Sequence, residues 1–295
     1  MRENVTRDQR RVLRADHLAL GPYGIWAVLF ILVPLVFVAY YAFTDVNFQF
    51  TLENIQRFFT ATSSIVQDDG SSAEVRTYLL IFWRSLKLAI ISTLVCLVLS
   101  YPLAYIMARA EPKVQKTFMT IIMIPMWMNF LIRTYAWMTI LQDTGILNSL
   151  IGRLGFGPVH IIGTETAVII GMVYDYFPYM VLPIYSILAK LDGRLLEAAR
   201  DLGCGSLSVL RRVIIPLSMP GVISGITMVL IPSISTFYIS QKLGGGAFDL
   251  IGDTIERQFQ NVNTYNIGAT ISLVMMILIL ISVAVMNRFS DNKEG

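Results

Sequence analysis

Long apolar runs separated by short polar segments recur along this 295-residue chain. Each run reaches the roughly 20 apolar residues that an α-helix needs to cross a bilayer. The first run is too long for the core of a signal peptide and lacks a small-residue cleavage site, so we expect it to persist as a helix. The pattern predicts an all-α integral membrane protein with six transmembrane helices. They cover residues 23–43, 78–108, 117–141, 164–188, 215–240 and 267–286.

The positions of lysine and arginine predict the orientation of these spans. Segments 1–22, 109–116, 189–214 and 287–295 carry 15 of these residues, whereas the intervening loops carry five. Because cytoplasmic loops are enriched in positive charge, both termini and segment 189–214 are predicted to be cytoplasmic. Only 15% of residues are charged and 55% are hydrophobic, whereas a soluble domain carries roughly 25% charge.

The chemistry of an enzyme is missing from the sequence. Its two histidines, His17 and His160, lie outside the predicted spans, and no CxxC or HExxH spacing occurs. We therefore expect no metal site and no catalytic residue, and an intramembrane enzyme would lack its base. No GxxxxGK[ST] phosphate loop is present, so nucleotide hydrolysis by this chain is not expected. The small net charge of +3, with a basic cluster beside an apolar span, indicates contact with lipid headgroups rather than nucleic acid.

A charged segment, LEAARDLGCGSLSVLRRVIIPLSMPG, separates the fourth and fifth predicted spans. Its first part predicts a short helix that Gly203 ends in a left-handed conformation. Its second part predicts a helix that begins at Ser206 and stops at Pro216. By composition alone, this segment would lie on the lipid headgroups, held there by Arg211 and Arg212.

The order of residues in this segment resembles the EAA loop of ABC importer permeases. That loop reads Glu-Ala-Ala, three residues, Gly, nine residues, and Ile-x-Leu-Pro. The matching positions are Glu197, Ala198, Ala199, Gly203 and Pro216, with Val213 and Ile215 replacing the usual Ile and Leu. In the family, the loop is a coupling helix that docks on a cytoplasmic ATPase, so the resemblance assigns these residues to ATPase coupling. A membrane scaffold without transport would leave this order unexplained.

The resemblance implies a type I ABC importer permease fold in a bacterial inner membrane. The implied partners are a cytoplasmic ABC ATPase dimer, a second homologous permease and an external binding protein, besides membrane lipids. ATP and Mg²⁺ would be bound by the ATPase, so no cofactor is expected in this chain. The expected organisation is a cytoplasmic tail at 1–22, a first helix and outer loop at 23–77, a permease core at 78–288 with the coupling loop at 189–216, and a tail at 289–295.

From about residue 50 onward, the chain resembles the spermidine/putrescine importer permeases of this family. The stretches that carry the resemblance are FTLENIQRFF, NFLIRTYAW, VIIGMVY, KLDGRLLEAARDLG and STFYISQKLGGG. The resemblance implies import of polyamines, delivered by an external polyamine-binding protein and moved inward by alternating access. Thiamine, an iron complex, an opine or another amine are alternative cargoes.

The sequence MVYDYFPYM in the fourth span suits a polycationic cargo, which needs carboxylates and aromatic faces in place of water. Asp175 is predicted about 16 Å deep, flanked by Tyr174, Tyr176 and Phe177. A carboxylate at this depth needs a partner or an aqueous cavity. Two interpretations stand: Asp175 contacts cargo, or it pairs with a structural partner such as Arg133 or a residue of a second permease.

Other polar and aromatic positions have weaker signals. Arg133 is expected to extend toward the interface as an anchor. Phe237 and Tyr238, near the outer end of the fifth span, suit either an aromatic gate on the cargo pathway or an interfacial belt. Several acidic residues of the outer loops are expected to form a solvated rim that attracts polycations. These are Asp143, Glu165, Asp249, Asp253 and Glu256.

Overall fold

A computed structural model describes residues 21–66 and 72–291, and most of them are helical. Two short strands pair antiparallel, with Thr62 opposite Arg76. A π-helical stretch, Val28–Leu32, lies within the first helix. In chain order the elements are α1 (Gly21–Ala42), α2 (Glu53–Thr60), β1 (Thr62–Val66), β2 (Ser72–Arg76), α3 (Thr77–Arg109), α4 (Pro112–Trp127), α5 (Phe130–Leu141), α6 (Ile146–Arg153), α7 (Glu165–Leu188), α8 (Gly193–Asp201), α9 (Ser206–Ser235), α10 (Tyr238–Leu243), α11 (Ile251–Gln260) and α12 (Tyr265–Asp291).

Five helices in the described part of the chain are long and apolar enough to cross a membrane, namely α1, α3, α7, α9 and the segment Val262–Met286 that includes most of α12. The predicted third span, 117–141, is not one straight helix. It divides into α4 and α5, and the pair Pro112–Trp127 and Phe130–Arg153 is bent by 95°. Between the two helices, Met128 and Asn129 have extended backbone. The Asn129 side chain accepts a hydrogen bond from Leu131 N–H at 2.8 Å. The side-chain cap lets a new helix begin at the bend.

The helix that carries the predicted fifth span begins earlier than expected. It continues from Ser206 to Ser235, so the prediction that Pro216 stops a helix is wrong. A π-helical stretch, Leu210–Ile214, directly precedes this proline, and Ile215 N–H donates to the carbonyl five residues before it. In a regular helix the proline ring would clash with the carbonyl four residues earlier, and the wider turn changes that register.

The outer end of the predicted fifth span also needs correction. Helix α9 ends at Ser235, where Thr236 adopts extended backbone, and α10 then begins at Tyr238. The apolar run therefore contains a second helix break that hydropathy alone did not separate.

One compact unit of the chain comprises residues up to 60 together with 258–275. In it, side-chain amides complete the C-terminal end of α1. Asn54 donates to the Thr44 carbonyl at 2.8 Å, and Asn266 donates to the same carbonyl at 2.6 Å and to that of Tyr41 at 3.1 Å. The last carbonyls of a helix have no intrahelical partner, so these two buried amides replace the missing donors.

The second unit comprises residues 61–257 and those after 275. Its centre is formed by α3, α7 and α9, which pack pairwise against one another. The side chains at this centre are apolar and almost completely buried, among them Cys96, Met107, Met180, Ile184 and Val229. A neighbouring apolar cluster, which includes Leu88, Leu141, Met172, Ile239 and Leu243, fixes α5 and α10 against α7.

Helices α7 and α9 approach closely because α9 presents glycine to its neighbour. A Cβ atom at Gly221 would lie 2.8 Å from the Pro183 carbonyl oxygen and 3.2 Å from Ile184 Cα. Both atoms belong to the backbone of α7 and cannot move aside cheaply. Small residues at helix contacts permit this close approach in membrane proteins.

We expect Gly221→Ala to destabilise the protein by about 1–3 kcal/mol, because the added methyl group overpacks the α7–α9 contact. Gly152→Ala in α6 is the matched control, since a Cβ there meets no atom within 4 Å. The measurement is the temperature at which the detergent-solubilised protein loses its monodisperse size-exclusion peak. Equal midpoints for the two variants would contradict the close contact.

Candidate functional site

The candidate cargo site lies where α5, α7 and α10 pack against one another. Asp175, in the middle of α7, is buried with only 3% of its side chain exposed. Its Oδ1 lies 3.3 Å from Nη1 of Arg133 on α5. The structure thus provides the intraprotein partner that was one of the two interpretations of Asp175.

The expectation that Arg133 anchors at the interface is wrong. Its side chain is only 10% exposed and faces Asp175. That expectation assumed a straight third span, whereas the span is bent by 95°. The bend places the guanidinium next to α7.

The charged pair is incompletely hydrogen-bonded. Nε and Nη1 of Arg133 and Oδ1 of Asp175 are all buried, and none of the three atoms has a hydrogen-bond partner among the described residues. The 3.3 Å approach is therefore a close charge contact without the alignment of a hydrogen bond. Arginine and carboxylate normally meet through two parallel N–H···O bonds, so this pair is far from its optimal geometry.

The aromatic neighbours of Asp175 in sequence make contacts in different directions. Tyr174 and Phe177 line an open apolar cavity of about 560 Å³, and the Tyr174 ring meets Trp137 edge-on at 5.2 Å. The Tyr176 hydroxyl donates to the Pro232 carbonyl of α9 at 3.4 Å. The aromatic residues that flank Asp175 in sequence thus lie on several faces of α7, because consecutive helical residues point about 100° apart.

Residues of α5 connect the two predicted clusters. The Arg133 guanidinium lies 5.9 Å from the centre of the Phe130 ring. That ring lies 5.7 Å from the ring of Tyr238, which meets the ring of Tyr135 edge-on at 6.3 Å. Phe237, beside Tyr238, is 41% exposed. Asp175 and Tyr238 are therefore linked by a continuous series of charged and aromatic groups.

A second cation, which is half-buried, lies at the other end of this series. The Lys242 ammonium is 5.5 Å from the centre of the Tyr135 ring and 5.6 Å from that of Tyr238. Sequence reasoning missed Phe130, Tyr135 and Lys242. The available signals were the stretch NFLIRTYAW and the four-residue spacing from Tyr238 to Lys242, which places both on one helix face.

The outer acidic residues are not the freely solvated rim that was expected. Glu165 lies 2.7 Å from Lys87 Nζ. Asp253 is buried, its Oδ2 accepts a hydrogen bond from Leu250 N–H at 2.8 Å, and burial raises its pKa to about 6. The other acids also have partners. The pairs are Asp143 with His160, Asp249 with Arg257, and Glu256 with Gln241.

Four of the five predicted coupling residues lie on α8 and the turn after it, whereas Pro216 lies within α9. Gly203 has φ +83°, which confirms the left-handed end predicted for this helix. Cys204 N–H donates to the Ala199 carbonyl at 3.1 Å across the turn. Glu197 and Ala198 are exposed, whereas Leu196 is buried toward the protein. Glu197 borders a cleft of about 670 Å³ that Tyr105 and Arg109 of α3 also line.

Residues 100–294 match the family of binding-protein-dependent transport system inner membrane components. Among curated proteins, the chain is 35% identical to the spermidine/putrescine transport system permease protein PotB of Haemophilus influenzae, over 89% of this chain and 90% of that protein. It is 38% identical to PotB of Escherichia coli K12, over 87% and 92%. It is 27% identical to the inner membrane ABC transporter permease protein YdcU of the same organism, over 92% and 88%.

The fold is similar to that of ABC transporter chains in solved structures. A chain of a bacterial alginate ABC transporter, crystallised with an alginate pentasaccharide-bound periplasmic protein, superposes with a TM-score of 0.77 at 17% identity, covering 98% of this chain and 97% of that one. A chain of the MetNI methionine ABC transporter superposes with a TM-score of 0.54 at 19% identity, covering 73% and 95%. The family match includes α8, Asp175 and the α9–α10 break, and the protein is therefore a member of the binding-protein-dependent transport system inner membrane components.

Proposed function

We propose that this protein is a permease subunit of an ATP-driven importer that moves polyamines across the bacterial inner membrane. The observation that carries the proposal is the 35–38% identity to spermidine/putrescine permeases over almost the whole chain. An external binding protein would deliver the cargo, and the permease would open alternately to each side. A second homologous permease would complete the path.

The chemistry of the candidate site supports a polycationic cargo. Polyamines carry two to four ammonium groups on a flexible chain. The site offers the Asp175 carboxylate and the rings of Phe130, Tyr135 and Tyr238, and cation–π contacts of about 0.5–2 kcal/mol each attract ammonium groups without trapping them. The protein's own cations already lie against these groups. We therefore assign the cargo path to this series, with Phe237 at its exposed margin.

The topology that goes with this function has six spans, with the bent α4–α5 pair counted as one. The distribution of lysine and arginine places both termini and α8 in the cytoplasm. This assignment retains the predicted tails at 1–22 and 289–295 and the permease core at 78–288.

Helix α8 is proposed as the contact with a cytoplasmic ABC ATPase dimer. Glu197, Ala198 and Ala199 would dock on the ATPase, with Gly203 setting the angle of the turn. Helix α8 lies between α7 and α9 in sequence, and the π-helical stretch before Pro216 is part of the continuous helix α9. Movement of the ATPase would therefore pass to two membrane helices together. ATP and Mg²⁺ would be bound by the ATPase, and this chain would supply no cofactor.

The cargo assignment is tested in proteoliposomes that contain this chain with its second permease, ATPase and binding protein. We expect saturable uptake of isotope-labelled spermidine into the lumen. This uptake should require ATP on the side of the membrane that carries the ATPase. Unlabelled putrescine should compete, whereas thiamine should not. Transport of thiamine, an opine or an iron complex without spermidine uptake would assign the same machine to another cargo.

Replacement of Gly203 by valine should uncouple the importer, because a β-branched residue is strained at positive φ. Gly205→Ala is the matched control two residues away, since Gly205 has φ −66° and its Cβ would meet nothing within 4 Å. The measurements are co-purification of the ATPase and stimulation of ATP hydrolysis by cargo-loaded binding protein. We expect the Gly203 variant to lose about tenfold or more in stimulated rate, with the control close to wild type. Equal behaviour of both variants would argue against the coupling role.

Cysteine labelling tests the proposed orientation in intact cells. In a Cys204→Ser background, a cysteine at Gly157 should react with an impermeant maleimide from outside. A cysteine at Leu207, which is 76% exposed on α9, should react only after the cells are opened. Native Cys96 is buried and should stay unlabelled. The reverse pattern would overturn the orientation.

A further inference from the structure

The contact between Arg133 and Asp175 is unusual for a permanent structural ion pair. Both side chains are at least nine-tenths buried. Nevertheless, within residues 21–66 and 72–291, no group forms a hydrogen bond with Nε or Nη1 of the arginine or with Oδ1 of the aspartate. Burial of two charges is favourable only when their geometry is excellent and their remaining polar atoms are satisfied. Such unsatisfied atoms need an explanation in terms of what the site does.

Another ion pair of the same unit shows the contrast. Lys87 Nζ lies 2.7 Å from Glu165 Oε2 and forms a hydrogen bond with it, and both side chains are more than one-third exposed. The two charged groups therefore form a hydrogen bond with each other, and solvent can reach their remaining polar atoms. The buried Arg133–Asp175 pair depends more strongly on good hydrogen-bond geometry, yet its geometry is poorer than that of Lys87 and Glu165.

Arg133 also has a second favourable position within reach. Its guanidinium already lies 5.9 Å from the centre of the Phe130 ring, one helical turn earlier on α5. Planar guanidinium groups stack well on aromatic faces. In addition, α5 begins directly after the helix break at Met128 and Asn129, where a change in the bend needs no intrahelical hydrogen bond to break.

An alkylammonium group would satisfy the Asp175 carboxylate better than Arg133 does. It carries three donors on a compact, rotatable head, and these can turn toward Oδ1 where the fixed guanidinium fork is misaligned. The adjoining rings of Phe130 and Tyr238 would face the methylene chain and any further ammonium group.

We propose that Arg133 is a displaceable internal counter-ion of Asp175, which a primary ammonium group of the cargo replaces on the carboxylate during transport. The inference rests on the proposed polyamine import. Between transport events, Arg133 neutralises the carboxylate and keeps an uncompensated charge out of the membrane interior. When cargo arrives, the guanidinium withdraws over Phe130, and its return onto Asp175 expels the cargo ammonium.

The test uses the complete complex with four variants of this chain: Arg133→Gln, Arg133→Lys, Asp175→Asn and the double Arg133→Gln/Asp175→Asn. Lys87→Gln is the control for loss of a cation from an ordinary ion pair. One readout is the spermidine concentration that gives half-maximal thermal stabilisation of the purified permease–ATPase complex without binding protein. The other is the maximal spermidine uptake rate with saturating, cargo-loaded binding protein.

A displaceable counter-ion predicts opposite effects of the two single changes. Arg133→Gln should lower the half-saturating concentration by about tenfold, the scale of one close charge contact, and should also lower the maximal rate because release is slower. Asp175→Asn should raise the half-saturating concentration by a similar factor. Arg133→Lys should stay near wild type, since it keeps a cation opposite the carboxylate, and Lys87→Gln should leave both readouts unchanged.

The double variant tests the displacement even when Arg133→Gln alone fails to assemble. Neither charge of the pair remains in the double variant, so no buried charge is left unpaired. Half-saturation as high as in Asp175→Asn supports displacement. Half-saturation and uptake restored to wild type would show a purely structural pair and overturn the inference. Normal uptake by wild type with unchanged half-saturation in Arg133→Gln would overturn the inference while leaving polyamine import intact. Absence of spermidine uptake by the wild-type complex would overturn the proposed function as well.

Discussion

The hydrocarbon interior of the bilayer offers backbone groups no hydrogen-bond partners, and this constraint shapes the whole chain. It requires long uninterrupted helices, and α3, α7 and α9 provide them with 33, 24 and 30 residues. Where the backbone departs from a helix, side chains supply the missing bonds. Asn129 caps the start of α5 after the bend, and Asn54 and Asn266 donate to carbonyls at and just beyond the end of α1. Polar side chains at these points are therefore structural requirements.

The same constraint explains how the machine can transmit movement. Since lipid provides little hydrophobic drive for helix association, helices in membranes rely on close packing. Gly221 brings the backbones of α7 and α9 together, and α8 lies between these helices in the chain. A close contact between the two helices would suit the lever role proposed for α8, because displacement at the ends of α7 and α9 next to α8 would not be absorbed by loose packing.

Charge inside the membrane follows a related rule. An isolated carboxylate is costly there, and Asp175 is neutralised by Arg133 from a different helix. Nearer the surface, the Lys242 ammonium lies against the rings of Tyr135 and Tyr238. The proposed cargo path is thus occupied by the protein's own cations. A polycation passing through it would exchange with these groups and would not enter an empty negative channel.

Hydropathy and local motifs determined much of this protein without tertiary information. Apolar length predicts the spans because the bilayer thickness is fixed, and the spacing from Glu197 to Pro216 identifies the family because it depends only on local order. Gly203 has the expected positive φ, because a helix end of this kind is a local backbone property. The depth and charge of Asp175 likewise indicated a need for a partner.

Tertiary structure decided everything that depends on which helix face meets which neighbour. The 95° bend invalidates depth counted along a straight span and turns Arg133 onto Asp175. The break after Ser235 brings Tyr238 to the rings of α5. Hydropathy could not reveal either break, because Asn129 at the first break and Ser235 and Thr236 at the second are too few polar residues to interrupt a long apolar run. The partners of a buried charge depend on long-range packing, which no periodicity within one segment encodes.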